Sequence, residues 1–518
     1  MEGTDSTDDG SEIDWDKTLG EKCFPLQHIS EFTPDPGLEI DMNSPESEET
    51  DEEELDRDLP SQHNLEIIKN LHLKSKEYRL AAITGQDIEE AAKTAYSREN
   101  LGELDGCGME AIPPDVFSTS SPKIPTNIHG TDGMKDCLKM ILTKYIDVFS
   151  KQVRKEPAKV SPLVIEVDRK KWEVIRNRQP ARKLGSLREA ELERQCEALL
   201  KMGVIELSKG GYYSYAFLVP KPNGDWRFVL DFQGLNKATT NVERWPIPNI
   251  NELLRRIGDK KPRYFGIMDL TSGFFQASIS AESSIFTSFV TKNKVYQWTR
   301  VPMGITAAPS YFQRVISTEV LGGLCGIICE VYIDDIIVWG DTEETFKRNL
   351  EEVLNRFKLH GITVNPDKCK FGLEAIEYVG HVIDGDGIHF TRDKLDSVTN
   401  FPLPKTKGEL KAFIGLVNYF RDHLKDLSIV MRPLDKLVTP YHPKDILNWN
   451  EETTTSFKAA TKLVDECPKL HFLDDSSEII LQTDACNTGM GAYLFQMREG
   501  KEIPIAFMSK AFDERLSK

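Results

Sequence analysis

The chain reads as an α+β protein whose sheet is antiparallel, on three observations. From about residue 211, short β-branched runs alternate with segments of helical period. Two strand-like runs, Ala216–Val219 and Trp226–Leu230, flank Pro220-Lys-Pro-Asn-Gly224, a turn with Asn-Gly at its centre. A second hairpin is read in the nine residues Val331–Trp339, V-Y-I-D-D-I-I-V-W, where two polar residues separate two apolar runs. Hairpins join neighbours that run in opposite directions, so the sheet they build is antiparallel.

The 518 residues suffice for three or four domains. Residues 1–60 hold 21 Asp and Glu against three Lys and Arg, while the other 458 residues hold 62 of each sign. The net charge of −18 therefore belongs to one tail, and it does not exclude nucleic-acid binding by the rest. That tail is too poor in apolar residues to offset its chain entropy, and disorder is expected over 1–60. Its first residues have no apolar core, so no secretory leader is expected there. No run of 18 apolar residues exists to span a membrane. The nine scattered cysteines are read as reduced core thiols, which fits an intracellular chain.

Residues 61–100 have helical spacing, and 101–130 are rich in Gly, Pro and Ser and read as a linker. A helix is expected over 132–149, with Leu138, Ile141, Leu142, Tyr145 and Val148 on its apolar face. Lys170–Lys183 carries six Lys and Arg beside Trp172, a composition that suits a phosphate backbone or a solvated basic loop. Ser186 with Glu189 three residues on predicts a capping box opening a helix to 202, and Gly203 ends it. After the Asn-Gly hairpin come a helix at about 249–257, a strand Tyr264–Leu270, and a hairpin spanning Thr287–Val290 and Val295–Trp298. A helix at about 310–321 leads into the Asp-Asp hairpin. Beyond it lie a helix over 343–360, a strand pair around 370–390, and two helices, the second capped by Thr406 with Glu409 three on. Strands return at Ile479–Gln482, Ala492–Gln496 and Ile503–Phe507.

Asp-Asp is good turn chemistry in its own right. Two carboxylates held side by side also repel unless a cation lies between them, and an all-oxygen site suits Mg²⁺ or Mn²⁺. A third carboxylate from a neighbouring strand would let two ions about 4 Å apart be bridged. Asp269, at the end of an apolar strand 65 residues upstream of Asp334, fits that need. Phe274, five residues after Asp269, would stack under an incoming sugar and exclude a 2′-hydroxyl, or else pack in the core. Lys221 and Arg227 would bind a triphosphate, Lys as a point charge and Arg through forked contacts.

The ordered set Trp226-Arg-Phe-Val-Leu-Asp-Phe-Gln-Gly-Leu-Asn-Lys237, Trp245-Pro-Ile-Pro248, Met268-Asp-Leu-Thr-Ser-Gly-Phe-Phe-Gln276, Val301-Pro-Met-Gly-Ile-Thr-Ala-Ala-Pro-Ser-Tyr-Phe-Gln313 and Tyr332-Ile-Asp-Asp335 resembles the reverse transcriptases of Ty3/gypsy long-terminal-repeat retrotransposons. Asn365-Pro-Asp-Lys-Cys-Lys-Phe371 and Tyr378-Val-Gly-His381 resemble the family's primer-end segment, and Gly415–Arg421 its thumb and connection region. The resemblance implies a right-hand polymerase of fingers, palm and thumb with an antiparallel palm sheet. On it, 151–202 extends the fingers, 203–383 is fingers and palm, and 384–470 is thumb and connection. It implies RNA-directed DNA synthesis from a primed RNA or DNA template with dNTPs, no membrane partner, and a cytoplasmic or nuclear setting.

Carried over residue by residue, the resemblance makes Asp269, Asp334 and Asp335 the ligands of two Mg²⁺ or Mn²⁺ ions. Lys221 and Arg227 become triphosphate contacts, Phe274 the sugar gate, and Met303 part of the nucleotide pocket. Gln233 stands where an Arg is common, Pro220 where a basic residue is frequent, and Tyr212–Tyr215 where a Ser-Pro strand entry is usual. Ile479–Ala492 resembles the start of a ribonuclease H α/β domain over 471–518, with Asp484 as its first metal ligand. No convincing later ligands follow, so a truncated domain without RNA cleavage is expected. The rival readings are a catalytically inactive relic that binds nucleic acid, a polymerase of the group II intron or telomerase type, and a scaffold acting through its acidic tail.

Overall fold

The computed structural model describes residues 121–512, apart from 179, 182, 221–225, 243–244 and 487–488 and the side chains of Pro220 and Arg227. The expected acidic tail, the helices of 61–100 and most of the 101–130 linker lie outside the described residues, as does Lys221.

The first described segment is woven into the sheet that carries the aspartates. Helix α1 (Asp132–Lys144) opens where the Thr131 hydroxyl accepts the Met134 N–H, and it buries Met134, Leu138 and Leu142. Either side of it, backbone pairs join His129 N to Phe371 O at 2.9 Å and Ser150 N to Val364 O at 3.0 Å. The Thr271 hydroxyl, two residues beyond Asp269, donates to Ser150 O at 2.6 Å.

Helix α2 (Ser186–Lys201) follows, but Gly185 is its cap residue and makes no side-chain cap bond. The expected capping box at Ser186 and Glu189 is not formed. The helix starts one residue too early for it, and Glu189 pairs with Lys292 at 2.8 Å instead. Strands β1 (Ile205–Leu207), β2 (Ser214–Pro220) and β3 (Trp226–Asp231), with short helices α3 (Gln233–Ala238) and α4 (Ile250–Gly258), lead to β4 (Tyr264–Asp269). Strands β5 (Phe289–Val290) and β6 (Val295–Trp298) complete the fingers sheet in the order β1-β6-β5-β2-β3. Its β2–β5 contact is parallel, an exception to the antiparallel expectation, because a long excursion separates the two strands.

Helix α5 (Ala308–Arg314) runs on into a π-helical turn, Val315–Val320. The palm sheet then forms from β7 (Cys329–Tyr332), β8 (Asp335–Gly340), β4 and, after helix α6 (Glu343–His360), β9 (Lys370–Leu373). Its order is β7-β8-β4-β9 and every pairing is antiparallel. Ile336, Ile337 and Val338 are fully buried, each contributing about 1.5–3 kcal/mol of transfer free energy. Gly340 ends β8 because a Cβ there would lie 2.3 Å from the Phe346 backbone nitrogen, where α6 crosses the sheet.

The expected strand pair at 370–390 is four strands: β9, then β10 (Ala375–Tyr378), β11 (His381–Asp384) and β12 (Gly387–His389). The two helices read after 390, α7 (Arg392–Thr399) and α8 (Lys407–Tyr419), are present. Thr406 caps α8 as expected, although Glu409 reaches the Lys405 N–H rather than that of Thr406. Two further helices, α9 (Leu427–Val438) and α10 (Glu451–Asp465), escaped the sequence reading. Pro433 lies inside α9, which also lacks a side-chain cap, and a Thr run opens α10. Strand β13 (Leu470–His471) closes the β10-β11-β12-β13 sheet, and β14 (Ile479–Cys486), β15 (Gly489–Arg498) and β16 (Lys501–Ala511) form a last antiparallel sheet.

Between these layers, Phe390 packs on His381, His423 and Phe420 with ring centres 4.6–4.9 Å apart. Burial lowers the His381 pKa to about 3 and that of His423 to about 4. Both rings are neutral in the fold. In the unfolded chain they take up a proton as pH falls through about 6.5. The unfolded state then binds more protons, so stability is lost from about pH 6.5 downward toward the folded values. Acidification from pH 7 to 5 should cost about 1–2 kcal/mol per histidine, read as a falling melting temperature. The double variant His381→Phe/His423→Phe should flatten that slope; an unchanged slope would contradict the assignment.

Candidate active site

Antiparallel register brings the aspartates together. Tyr332 pairs with Asp335 across the β7–β8 hairpin, so the turn residues are Ile333 and Asp334. By sequence both aspartates are expected between the strands. In the structure Asp334 occupies the turn and Asp335 opens β8. On the other side of β8, Asp335 stands directly opposite Asp269, the last residue of β4. The Leu270 N–H donates to Asp334 O at 3.1 Å, which ties the turn to the end of β4.

That turn is strained. Ile333 has φ +58°, a left-handed conformation that a β-branched residue rarely adopts. Gln313 of α5, 2% exposed, holds it from both sides. Its Oε1 accepts the Ile333 N–H at 2.7 Å and its Nε2 donates to Val331 O at 3.0 Å. A second buried glutamine, Gln276, fixes the Asp269 side. Its Nε2 donates to Thr271 O and Thr363 O at 2.9 and 2.8 Å, and its Oε1 accepts the Thr363 N–H at 2.7 Å. Tyr378, fully buried, donates its hydroxyl to Asp335 O at 3.3 Å from β10. Burial raises that phenol well above its ordinary pKa, so it stays a donor.

The loop after β4 closes over the hairpin. Gly273 lies where a Cβ would stand 3.3 Å from the Asp334 Cβ and 3.1 Å from the Phe312 ring. The next residue, Phe274, packs edge-on against Phe312 at 5.1 Å. Phe274 is therefore beside the aspartates, half-buried, with a ring partner that fixes its position. Met303 is half-buried in a turn braced by Asn236 of α3, which donates to Gly304 O and accepts from Thr306 N. Arg227 is placed only through its backbone, opposite Val219. Asp484 lies apart, exposed on β14 and paired with Gly491.

Lys368, to which the motifs assign no role, has its Nζ 3.3 Å from both Asp269 carboxylate oxygens. Gln276, Gln313 and Tyr378 lie within the motifs, which likewise assign them no role. For the two glutamines the available signal is a polar residue closing an apolar motif, which marks a buried hydrogen-bond partner; Tyr378 carries no such signal. Among the described residues, no three Asp, Glu, His or Cys side chains are gathered at metal-holding distance. The donor set is nonetheless all carboxylate, which suits a hard divalent cation, and a cationic ammonium already lies against Asp269.

The antiparallel palm sheet with its paired carboxylates, flanked by a second sheet and by helices, has the layout of the right-hand fold that the motifs imply. Residues 219–383 match the family described as reverse transcriptase (RNA-dependent DNA polymerase), and residues 449–517 match the RNase H-like domain found in reverse transcriptase. The chain is 31% identical over 384 residues to the retrovirus-related Pol polyprotein of transposon 412 of Drosophila melanogaster, covering 73% of this chain and 30% of that protein. It is 34% identical to the Pol polyprotein of transposon opus from the same fly (62% of this chain, 33% of that protein) and 30% identical to that of transposon gypsy (62% and 32%). The chain thus spans about a third of the length of these relatives. The fold is similar to that in the "structure of the foamy viral protease-reverse transcriptase in complex with RNA/DNA hybrid", with TM-score 0.64, 24% identity, and coverage of 75% of this chain and 51% of that one. Residues 219–383 are thus similar to reverse transcriptase domains and residues 449–517 to the RNase H-like domain that accompanies them, in relatives that include gypsy-type transposons, the resemblance that the motifs carry.

Proposed function

We propose that this chain is an RNA-directed DNA polymerase that extends a primer on an RNA or DNA template with dNTPs. One observation carries the proposal: Asp269 and Asp335 face each other across paired strands, with Asp334 in the adjoining turn. Asp269, Asp334 and Asp335 would hold two Mg²⁺ or Mn²⁺ ions. When bound, the ions supply charge neutralisation and a lowered pKa at the attacking hydroxyl. The chain's own part is placement. Gln313, Gln276 and Tyr378 would hold the backbone around the three aspartates fixed while the primer 3′-oxygen meets the α-phosphate in line and pyrophosphate leaves. Phe274 would limit the space at the sugar 2′ position, Met303 would line the nucleotide pocket, and Lys221 and Arg227 would meet the triphosphate. Asp484 would be a ligand of the RNase H-like segment. The reaction is one of the cell interior, in cytoplasmic particles or the nucleus.

The test is extension of oligo(dT) on poly(rA) with dTTP and Mg²⁺. Product that grows with time and needs the RNA template supports the proposal. Binding without any extension favours an inactive relic. In the same assay Phe274→Val should raise ribonucleotide use relative to deoxynucleotide by about 10- to 100-fold, because a methyl-scale clash is worth about 1–3 kcal/mol. An unchanged ratio would return Phe274 to a packing role.

A further inference from the structure

Resting on the proposed metal assignment, we infer that Lys368 is a built-in counter-ion for the catalytic aspartates, which a divalent cation must displace as it loads. Its ammonium contacts both oxygens of Asp269, a carboxylate only 13% exposed, while its own side chain is 58% exposed. The arrangement is built. The Asn365 N–H donates to Asp269 O at 2.9 Å, and Asn365 Oδ1 accepts the Asp367 N–H at 3.1 Å. The Lys368 N–H returns to Asn365 O at 3.2 Å, and the Cys369 thiol donates to the same oxygen. Lys151, from the segment preceding the fingers, pairs with Asp367 at 2.5 Å and holds the turn from outside. Backbone geometry thus aims Lys368 at the metal-binding carboxylate, and its exposed stem lets it swing into water at small cost.

The consequence is competition. The ammonium and a divalent cation seek the same Asp269 oxygens, so the ion binds the nucleic-acid-free protein more weakly than the carboxylates alone would allow. An ion pair this exposed is weak, so its removal should tighten binding by a few-fold rather than by orders of magnitude. Once displaced, the ammonium becomes a free cation at the rim of the site, where an anionic nucleotide arrives. Loading would then be favoured by nucleotide, which draws the lysine away from Asp269.

The experiment is a titration of the full chain with Mn²⁺ alone, reading free ion by electron paramagnetic resonance, without template or nucleotide. Lys368→Met and Lys368→Gln should each bind Mn²⁺ about two- to six-fold more tightly than wild type. Lys368→Arg should remain within two-fold of wild type, since it keeps the charge. Lys370→Met, which removes a charge on β9 two residues further on, controls for the general field and should shift binding less. Equal shifts for Lys368→Met and Lys370→Met, or no shift for either, would overturn the inference while leaving the metal assignment standing. If neither wild type nor Lys368→Met takes up Mn²⁺, the metal assignment itself falls, and the inference with it.

Discussion

Asp269→Asn is expected to lower primer-extension turnover by at least about 10³-fold while leaving the fold and template binding intact. The carboxylate is the only one contributed by β4, and it faces Asp335 directly. An amide keeps the shape but supplies no charge to neutralise a cation, and electrostatic positioning at a phosphoryl centre is commonly worth several kcal/mol. The stability cost is small. The ion pair with Lys368 that is lost is largely exposed on the lysine side, and such pairs contribute about 0–1 kcal/mol. Relief of repulsion between neighbouring carboxylates acts in the opposite direction. The melting temperature should therefore hold within a few degrees while turnover collapses. A parallel loss of both would show that Asp269 is structural.

Gln313→Leu should have the second-largest effect and the opposite signature. Leucine fills much the same volume but leaves the Ile333 N–H and Val331 carbonyl without their partner in the interior. Each such orphaned group costs about 1–3 kcal/mol, so a loss of about 2–4 kcal/mol in unfolding free energy is expected. The left-handed Ile333 loses the clamp that holds it, and the turn carrying Asp334 is free to relax. A displacement of about 1 Å at a reacting centre costs on the order of 10²-fold in rate. Gln313→Glu, which retains the acceptor for Ile333, should recover part of the stability. Denaturant melts together with steady-state extension separate the two contributions. Full activity in a destabilised Gln313→Leu would mean that the clamp stabilises the hairpin without positioning it.

The legibility of this site in the sequence differed by residue. Asp269, Asp334 and Asp335 could be read because carboxylates at the ends of apolar strands are conspicuous against their surroundings. Their relation across the sheet could be guessed only as far as strand order allowed. The turn itself was misplaced by one residue: Asp-Asp has the better turn propensity, yet capture of the Ile333 amide by Gln313 fixes the register. Gln313, Gln276 and Tyr378 act through burial, and burial of a polar side chain leaves no periodic trace in sequence. Lys368 acts through a local turn that a string of residue types does not reveal. Of the helices, α8 was announced by its Thr406 cap. Pro433 inside α9 speaks against helix, and tertiary packing overrode it, whereas α10 opens on a capping box of Asn450 and Thr453 that uses Thr where Glu or Gln is the usual signal.

The most direct test of the central claim sets wild type and Asp269→Asn side by side on labelled oligo(dT) annealed to poly(rA), with dTTP and Mg²⁺, and measures primer-template binding in the same samples. Extension by wild type that vanishes in the variant, at equal binding, is the predicted result. Equal extension by both proteins would contradict the assignment of Asp269, Asp334 and Asp335 as the polymerase centre.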